Sequence, residues 1–498
     1  MIRGALNRLS TWANTWPRRI LAAAAVAAIF WALVGWYGSI RPLPPDLSFA
    51  GDPVAMQGID IRLLTDLTYR GVDGAAVHEQ QIFDEILTLV DGAQRLIVLD
   101  LFLINDHLGL SNSAFRPISS ELVGGLIAAH RRAPEMPIVL VTDPINDIYG
   151  GDPSPQLEAL REAGIQVVVT DLTRLRDSNP LYSGLWRAAL QWWGNSADGG
   201  WLPNPLDPDG RQVGLRTYLR MANFKANHRK VVLADSGDRW ISLVTSANPH
   251  DGSSAHSNVA LRVESGAFAR QVFRTEMEVV RMSGGTPPFK ALPDLEHSPP
   301  IGDHRVALVT ESAIRDRVLE LIDGAGSGDE IDLAIFYLSH SGVVSALRSA
   351  ADRGVWIRGI LDPNRDAFGR EKSGVPNRQT AEHLIRTAGG GVAIRWYDTH
   401  GEQFHCKFMV VRSRDRADVV LGSANFTRRN LDDYNLEASV WVQTPRGSTL
   451  DRELKLLIDR LWTNDGGSFT LPYAEFRDTS KLRRLSAWGQ ETTGLSTF

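Results

Sequence analysis

His228-Arg-Lys-Val-Val-Leu-Ala-Asp235, followed by Thr245-Ser-Ala-Asn248, returns later in the chain as His405-Cys-Lys-Phe-Met-Val-Val-Arg412, followed by Gly422-Ser-Ala-Asn425. Eighteen residues separate histidine from serine in both copies (228 to 246 and 405 to 423), and twenty separate histidine from asparagine. A side chain able to accept a hydrogen bond follows each copy, Asn258 in the first and Glu437 in the second. Lysine is scarce, 7 of 53 basic residues, so two of the seven at equivalent positions do not reflect a generally basic surface. Each motif runs into four apolar residues, the pattern of a strand buried on both faces.

The repetition extends outward from the motifs. Glu85-Ile-Leu-Thr-Leu-Val-Asp-Gly-Ala93 matches Arg317-Val-Leu-Glu-Leu-Ile-Asp-Gly-Ala325, and both read as amphipathic helices closed by Asp-Gly. An apolar strand follows each, Leu96–Leu103 and Ile331–Leu338, and a second strand ends in Thr142-Asp-Pro-Ile-Asn-Asp147 or Leu361-Asp-Pro-Asn-Arg-Asp366. Helices alternating with apolar strands predict an α/β chain of two pseudo-symmetric domains, each a largely parallel sheet flanked by helices. The expected boundaries are 59–283 and 303–465, with a proline-rich linker at 284–302 and a tail at 466–498. Asp143, Asp147, Asp362 and Asp366 fall where Asp-Pro turns belong, which favours turn chemistry over metal binding. A single cysteine, Cys406, excludes an intrachain disulfide and a cysteine-based zinc site.

The first 41 residues stand apart. Arg3, Arg8, Arg18 and Arg19 precede an uncharged run over 20–40, and only Arg41 follows it. That length suits a helix crossing a bilayer, and Trp31, Trp36 and Tyr37 at its far end suit the interface. The asymmetry places residues 1–19 in the cytoplasm and 41–58 as a linker, in a single-pass protein of the inner (cytoplasmic) membrane with its body facing the periplasm or outside. A cleaved signal peptide is the competing reading. Removing these five arginines takes the net charge from −5 to −10, which does not favour nucleic acid as a partner.

His-x-Lys, four residues, Asp, then Gly-Ser-x-Asn resembles the paired signature of the phospholipase D superfamily, which includes phospholipases D, cardiolipin synthases and some nucleases. The resemblance covers most of 60–465 and implies two phospholipase D-like domains and a site that needs no metal or cofactor. It implies a glycerophospholipid substrate at the membrane, a phosphohistidine intermediate, and water or an alcohol as acceptor. Carried onto this sequence, His228 is the nucleophile and His405 the acid/base, or the reverse. Lys230, Lys407, Asn248 and Asn425 surround the phosphate, as fixed charge and donors must around an anion that resists nucleophiles. Ser246 and Ser423 add hydroxyls to the substrate. Asn258 is expected to orient the histidine of its own half, His228, and Glu437 that of its own half, His405, because each imidazole needs an acceptor on its far nitrogen. Asp235 completes the catalytic signature, although its position at the far end of a strand reads as structural, and Arg412 replaces its counterpart.

Three further features carry two readings each. An insertion at 172–222, present in the first half only, holds Trp186, Trp192, Trp193 and Trp201, as a lipid-contacting flank or as an ordinary packed helix. His250, His256 and His400 lie near the motifs as headgroup contacts or as plain loop residues. Arg211, Arg216, Arg220, Lys225, Arg229 and Lys230 cluster before the first motif, which keeps an extracytoplasmic nuclease open beside the lipid enzyme. A non-catalytic lipid-binding protein is the third possibility, resting on Arg412 alone.

Overall fold

The computed structural model describes residues 2–108, 115–192, 199–207, 210–223, 225–293, 301–367 and 370–494, so Trp193 lies outside the described residues. Two large sheets are built alike. In the first, the strands lie in the spatial order Ile61–Gly71, Asn258–Glu264, Arg239–Thr245, Lys230–Ser236, Ile97–Leu101, Ile138–Thr142, Gln166–Val169. The second repeats that order with His304–Thr310, Ala438–Pro445, Arg416–Gly422, Lys407–Arg412, Glu330–Ile335, Trp356–Leu361, Val392–Tyr397. Each motif strand is thus the middle one of seven.

Two α/β domains flanked by helices agree with the sequence, but the largely parallel sheet does not. Only the last three strands of each series run parallel. The motif strand is antiparallel to both neighbours in each sheet. The cause is local: Ser236 pairs with Arg239 across Gly237-Asp238, and a hairpin this short can only reverse the chain.

The alternation of side chains explains why these strands read as unbroken apolar runs. Val231, Leu233, Phe408 and Val410 meet in one core shared between the two sheets. Val232 and Ala234 face the helices of the first domain, and Met409 and Val411 those of the second. Both faces are dry, so polar residues are confined to the strand ends.

The expected boundaries are also corrected at the edges. Val54–Met56, within the expected linker 41–58, pairs with His304–Thr310 of the second sheet. Beyond residue 465, Gly467–Ser468 joins the first sheet and Thr470–Pro472 the second. The halves exchange edge strands, which covers open edges and ties the domains together. At the N-terminus, Ile2–Ile40 is one helix, and its segment Trp16–Ile40 is long and apolar enough to cross a membrane.

Asp235 sits five residues beyond Lys230, about 17 Å along the strand. Its carboxylate accepts from the backbone N–H groups of Gln94 (3.1 Å), Arg95 (2.8 Å) and Leu96 (3.0 Å), fixing the turn from helix Ile82–Gly92 into strand Ile97–Leu101. The expectation that Asp235 is catalytic is therefore corrected: it holds the opposite end of the fold. Arg412, at the matching place in the second motif, is held by side chains instead of by a turn. Its buried guanidinium bridges Asp332 and Asp451, with Nε 2.6 Å from the latter's Oδ1.

Replacing Asp235 with Ala strands three backbone donors and should lower unfolding free energy by about 2–4 kcal/mol. Denaturant titration of the full chain in detergent reads that loss, while turnover per folded molecule stays at the wild-type value.

Candidate active site

The two motif histidines meet at the ends of their strands because each lead-in is zipped to the other half. Asn227 and Leu436 form a parallel bridge, with His228 N donating to Leu436 O (2.9 Å) and Leu436 N to Ala226 O (3.0 Å). Ser257 and Phe404 form its counterpart, with His405 N donating to Ser257 O (2.8 Å) and Ser257 N to Gln403 O (3.0 Å). Glu437 and Asn258 are the next residues along, so each falls beside the histidine of the opposite half.

The orienting pairs are thus the reverse of those expected. His228 Nδ1 lies 2.8 and 3.0 Å from the two carboxylate oxygens of Glu437. His405 Nδ1 lies 3.1 Å from Asn258 Oδ1. Sequence spacing within one half cannot reveal this exchange, because it is made by strand pairing between the halves.

Ser246 and Ser423 are corrected as substrate contacts. Both are fully buried. Ser246 Oγ donates to Asn258 Oδ1 (3.0 Å) and accepts from Val259 N (3.0 Å). Ser423 Oγ donates to Glu437 Oε2 and accepts from Ala438 N (3.0 Å). They hold the acceptors in place. Asn430, which sequence reasoning missed, also donates its amide to Glu437.

Lys230 and Lys407 each donate Nζ to the carbonyl of their own motif histidine at 2.7 Å. Each ammonium stands over a phenylalanine, Phe102 (5.0 Å) or Phe336 (5.1 Å), and the same rings pack against His228 (4.9 Å) and His405 (5.0 Å). The two phenylalanines also escaped the sequence reading; each directly follows the residue paired with its motif lysine, Leu101 with Lys230 and Ile335 with Lys407. Asn248 and Asn425 are each 6% exposed, and the Oδ1 of neither has a protein partner among the described residues.

The repeated Asp-Pro turns place the histidines. Asp143 accepts from Asn227 N (2.7 Å), and Asp362 from Phe404 N (2.8 Å), the residues just before the two histidines. Burial pushes Asp143 up to about 7 and Asp362 to about 6. Among the described residues, no group of three or more His, Cys, Asp or Glu is arranged to hold a metal ion. His256 packs 5.9 Å from His405, His250 is held between Ser253 Oγ and His107 O, and His400 is exposed, 3.8 Å from Asp398.

Burial dominates the electrostatics. It drives His228 down to about 4 against the pull of Glu437, and it holds His405 well below 6.5 with Lys407, His256, Lys230 and His228 adding repulsion. Lys230 falls to about 7, and Lys407 lies well below its usual range. Burial works to raise Glu437, but His228 and Lys230 outweigh it and leave it below the ordinary carboxylate value. Burial thus biases both imidazoles towards the neutral form beside one carboxylate, and an anion placed between the two lysines would offset the same penalty on their ammonium groups.

These shifts carry a sign. The unfolded chain protonates these rings near 6.5, whereas the folded chain resists until well below, near 4 for His228. Their contribution is whole above 6.5 and is lost as pH falls through that window. The melting temperature of wild type should accordingly drop more between pH 7 and pH 5 than that of His405→Asn. Equal slopes would show that His405 is not held neutral.

The comparisons agree with this arrangement. Residues 318–462 match the family described as cardiolipin synthase, PLD-like domain. The crystal structure of phosphatidylserine synthase from Haemophilus influenzae Rd KW20 is similar in fold, with a TM-score of 0.54 at 8% identity over 89% of this chain and 95% of that one. A phospholipase D family member, Nuc from Salmonella typhimurium, aligns at 22% identity over 34% of this chain and 98% of its own, with a TM-score of 0.27. No curated protein matches the sequence. Residues 318–462 thus match a phospholipase D-like domain, and the paired motifs and the doubled sheet extend that likeness to the first half.

Proposed function

We propose that this chain is a metal-independent, membrane-anchored phosphodiesterase of phospholipase D type that passes a phosphatidyl group through a histidine to water or an alcohol. The observation that carries this reading is the Glu437–His228 pair. With Nδ1–H donated to a carboxylate, Nε2 is the richer nucleophile, and a phosphorylated imidazole keeps a counter-charge beside it. His405 Nδ1 meets the neutral Asn258 carbonyl in place of a carboxylate, so it lacks the adjacent anion that would hold its proton. The roles first assigned to the two histidines are therefore kept, although their acceptors are exchanged.

In the proposed cycle a phosphodiester anion enters between Lys230, Lys407, Asn248 and Asn425, and its charge restores the proton affinity that burial removes. His228 Nε2 attacks phosphorus while His405 Nε2 gives its proton to the departing alcohol oxygen. The neutral His405 then takes a proton from water or an acceptor alcohol, which breaks the N–P bond and returns His228. Orientation and fixed positive charge supply the rest of the barrier lowering.

The family description and the apolar N-terminal helix support lipid as the substrate class. The arginine asymmetry about that helix supports a single-pass anchor in the inner membrane with the body outside the cytoplasm. The nuclease alternative loses support because members of its basic cluster turn inward. Lys225 pairs with Asp177 at 2.5 Å, and Arg229 with Glu276 and Glu311 at 3.1 and 2.8 Å. The non-catalytic alternative rested on Arg412, which lies at the other end of its strand from Lys407.

Protein mass after a rapid denaturant quench at alkaline pH, following exposure to a nitrophenyl phosphodiester, tests the cycle. His228→Ala should lose both turnover and adduct. His405→Ala should accumulate an adduct on His228, with turnover reduced about 10²–10⁴-fold because breakdown lacks its base. An adduct on His405 in the His228 variant would reverse the roles. Defined lipid vesicles with and without glycerol, resolved by product mass, separate hydrolysis from transfer.

A further inference from the structure

We propose that the helices Pro180–Ala188 and Lys481–Thr493 form a second membrane contact, an interfacial face that sets the rim of the histidine site against the bilayer surface. The inference deepens the anchor reading above and rests on it.

The anchor does not leave the body as a free tether. Its last turns are docked on Pro180–Ala188 so closely that a Cβ added at Gly35 would lie 2.2 Å from Pro180 O, and one at Gly38 2.1 Å from Asp177 Oδ2. Trp31 Nε1 donates to Leu181 O at 2.7 Å, and Asp177 N donates to Gly38 O at 2.9 Å. The apolar stretch Trp16–Ile40 has 25 residues, about 37 Å of helix, against a hydrocarbon core of about 30 Å. The docked segment, from Trp31 onward, covers the last ~14 Å of that length. A helix fixed beside it lies at the boundary of headgroups and acyl chains, and the side it turns away from the anchor is apolar: Leu181 is 66% and Leu185 42% exposed.

The C-terminal helix continues this face. Gly494, its cap, lies so close to the chain entering the insertion helix that an added Cβ would be 2.0 Å from Ser178 O. Arg428 donates to both Ser178 O (3.4 Å) and Glu491 O (3.5 Å). On the inner side, Glu491 accepts from Ser339 Oγ and Arg428 N, both at 2.8 Å. Ser339 follows the strand end that carries Phe336, and Arg428 stands three residues beyond Asn425, so this helix forms part of the rim of the site. On the outer side, Leu482, Leu485 and Trp488 are 79%, 62% and 65% exposed at a spacing that puts them on one face. Lys481 opens that helix and places a positive charge beside the apolar stripe, which suits anionic headgroups, whereas Arg483 is paired with Asp478 at 2.7 Å. A soluble partner protein would also cover such a stripe. Its continuity with the docked anchor singles out the bilayer.

The test uses the full chain in nanodiscs of phosphatidylethanolamine and phosphatidylglycerol. An environment-sensitive fluorophore is placed singly through Leu485→Cys, Trp488→Cys, Trp36→Cys and Leu456→Cys, and quenched by lipids spin-labelled near the headgroup end of the acyl chain. Cys406 is buried and stays unlabelled. Leu456 is 68% exposed on helix Thr449–Thr463 and serves as the off-membrane control. Probes at 485 and 488 should lose fluorescence as strongly as the one at 36, and the one at 456 should not. Quenching at 36 with 485 and 488 as bright as 456 overturns the inference and leaves the anchor standing. An unquenched probe at 36 overturns the anchor reading itself.

Discussion

The site depends on the two short parallel bridges that join Asn227 to Leu436 and Ser257 to Phe404. Each brings the lead-in of one histidine alongside the segment that ends in the other half's acceptor. Neither half is chemically complete without the other, since an imidazole without its acceptor has no fixed tautomer. Pseudo-symmetry supplies the geometry, and the single difference between Glu437 and Asn258 makes the two histidines unequal.

Buried charge locks this junction. Arg229, the middle residue of the first motif, lies fully buried between Glu276 of its own half and Glu311 of the other. Glu311 Oε1 accepts from Glu437 N at 3.0 Å, and Glu311 holds a positive φ of 50°, which a non-glycine residue adopts only under constraint. Removing one partner from such a buried set costs about 3–5 kcal/mol, because the remaining charge stays uncompensated. The position between His and Lys, where the sequence pattern specifies nothing, thus becomes the clasp between domains. In the second motif the same place is taken by Cys406, a small buried side chain.

Much of this was legible in the sequence because repetition is a local signal. The paired motifs, the Asp-Pro turns and the apolar strands gave two domains, their flanking helices and the residues that converge. What escaped detection arises between segments distant in the chain. The carboxylate of Glu437 crosses to His228 through strand pairing that no spacing within one half encodes. Ser246 and Ser423 lie in the motif, yet burial turns them away from substrate to hold Asn258 and Glu437. Strand direction is not encoded in the apolar pattern, because a two-residue hairpin and a crossover can both follow an apolar run, and it is Gly237-Asp238 that makes the hairpin. Arg412 resembled a lesion until Asp332 and Asp451 appeared beside it.

The rate of adduct formation in Glu437→Gln measures the central claim directly. Rapid quenching with an activated phosphodiester separates attack by His228 from later breakdown. If Glu437 serves His228 across the domain boundary, the first step should slow by about 10²-fold, the scale at which a positioned proton acceptor contributes. Adduct that forms at the wild-type rate and then fails to break down would instead assign Glu437 to His405, and would contradict the exchange of acceptors on which this account rests.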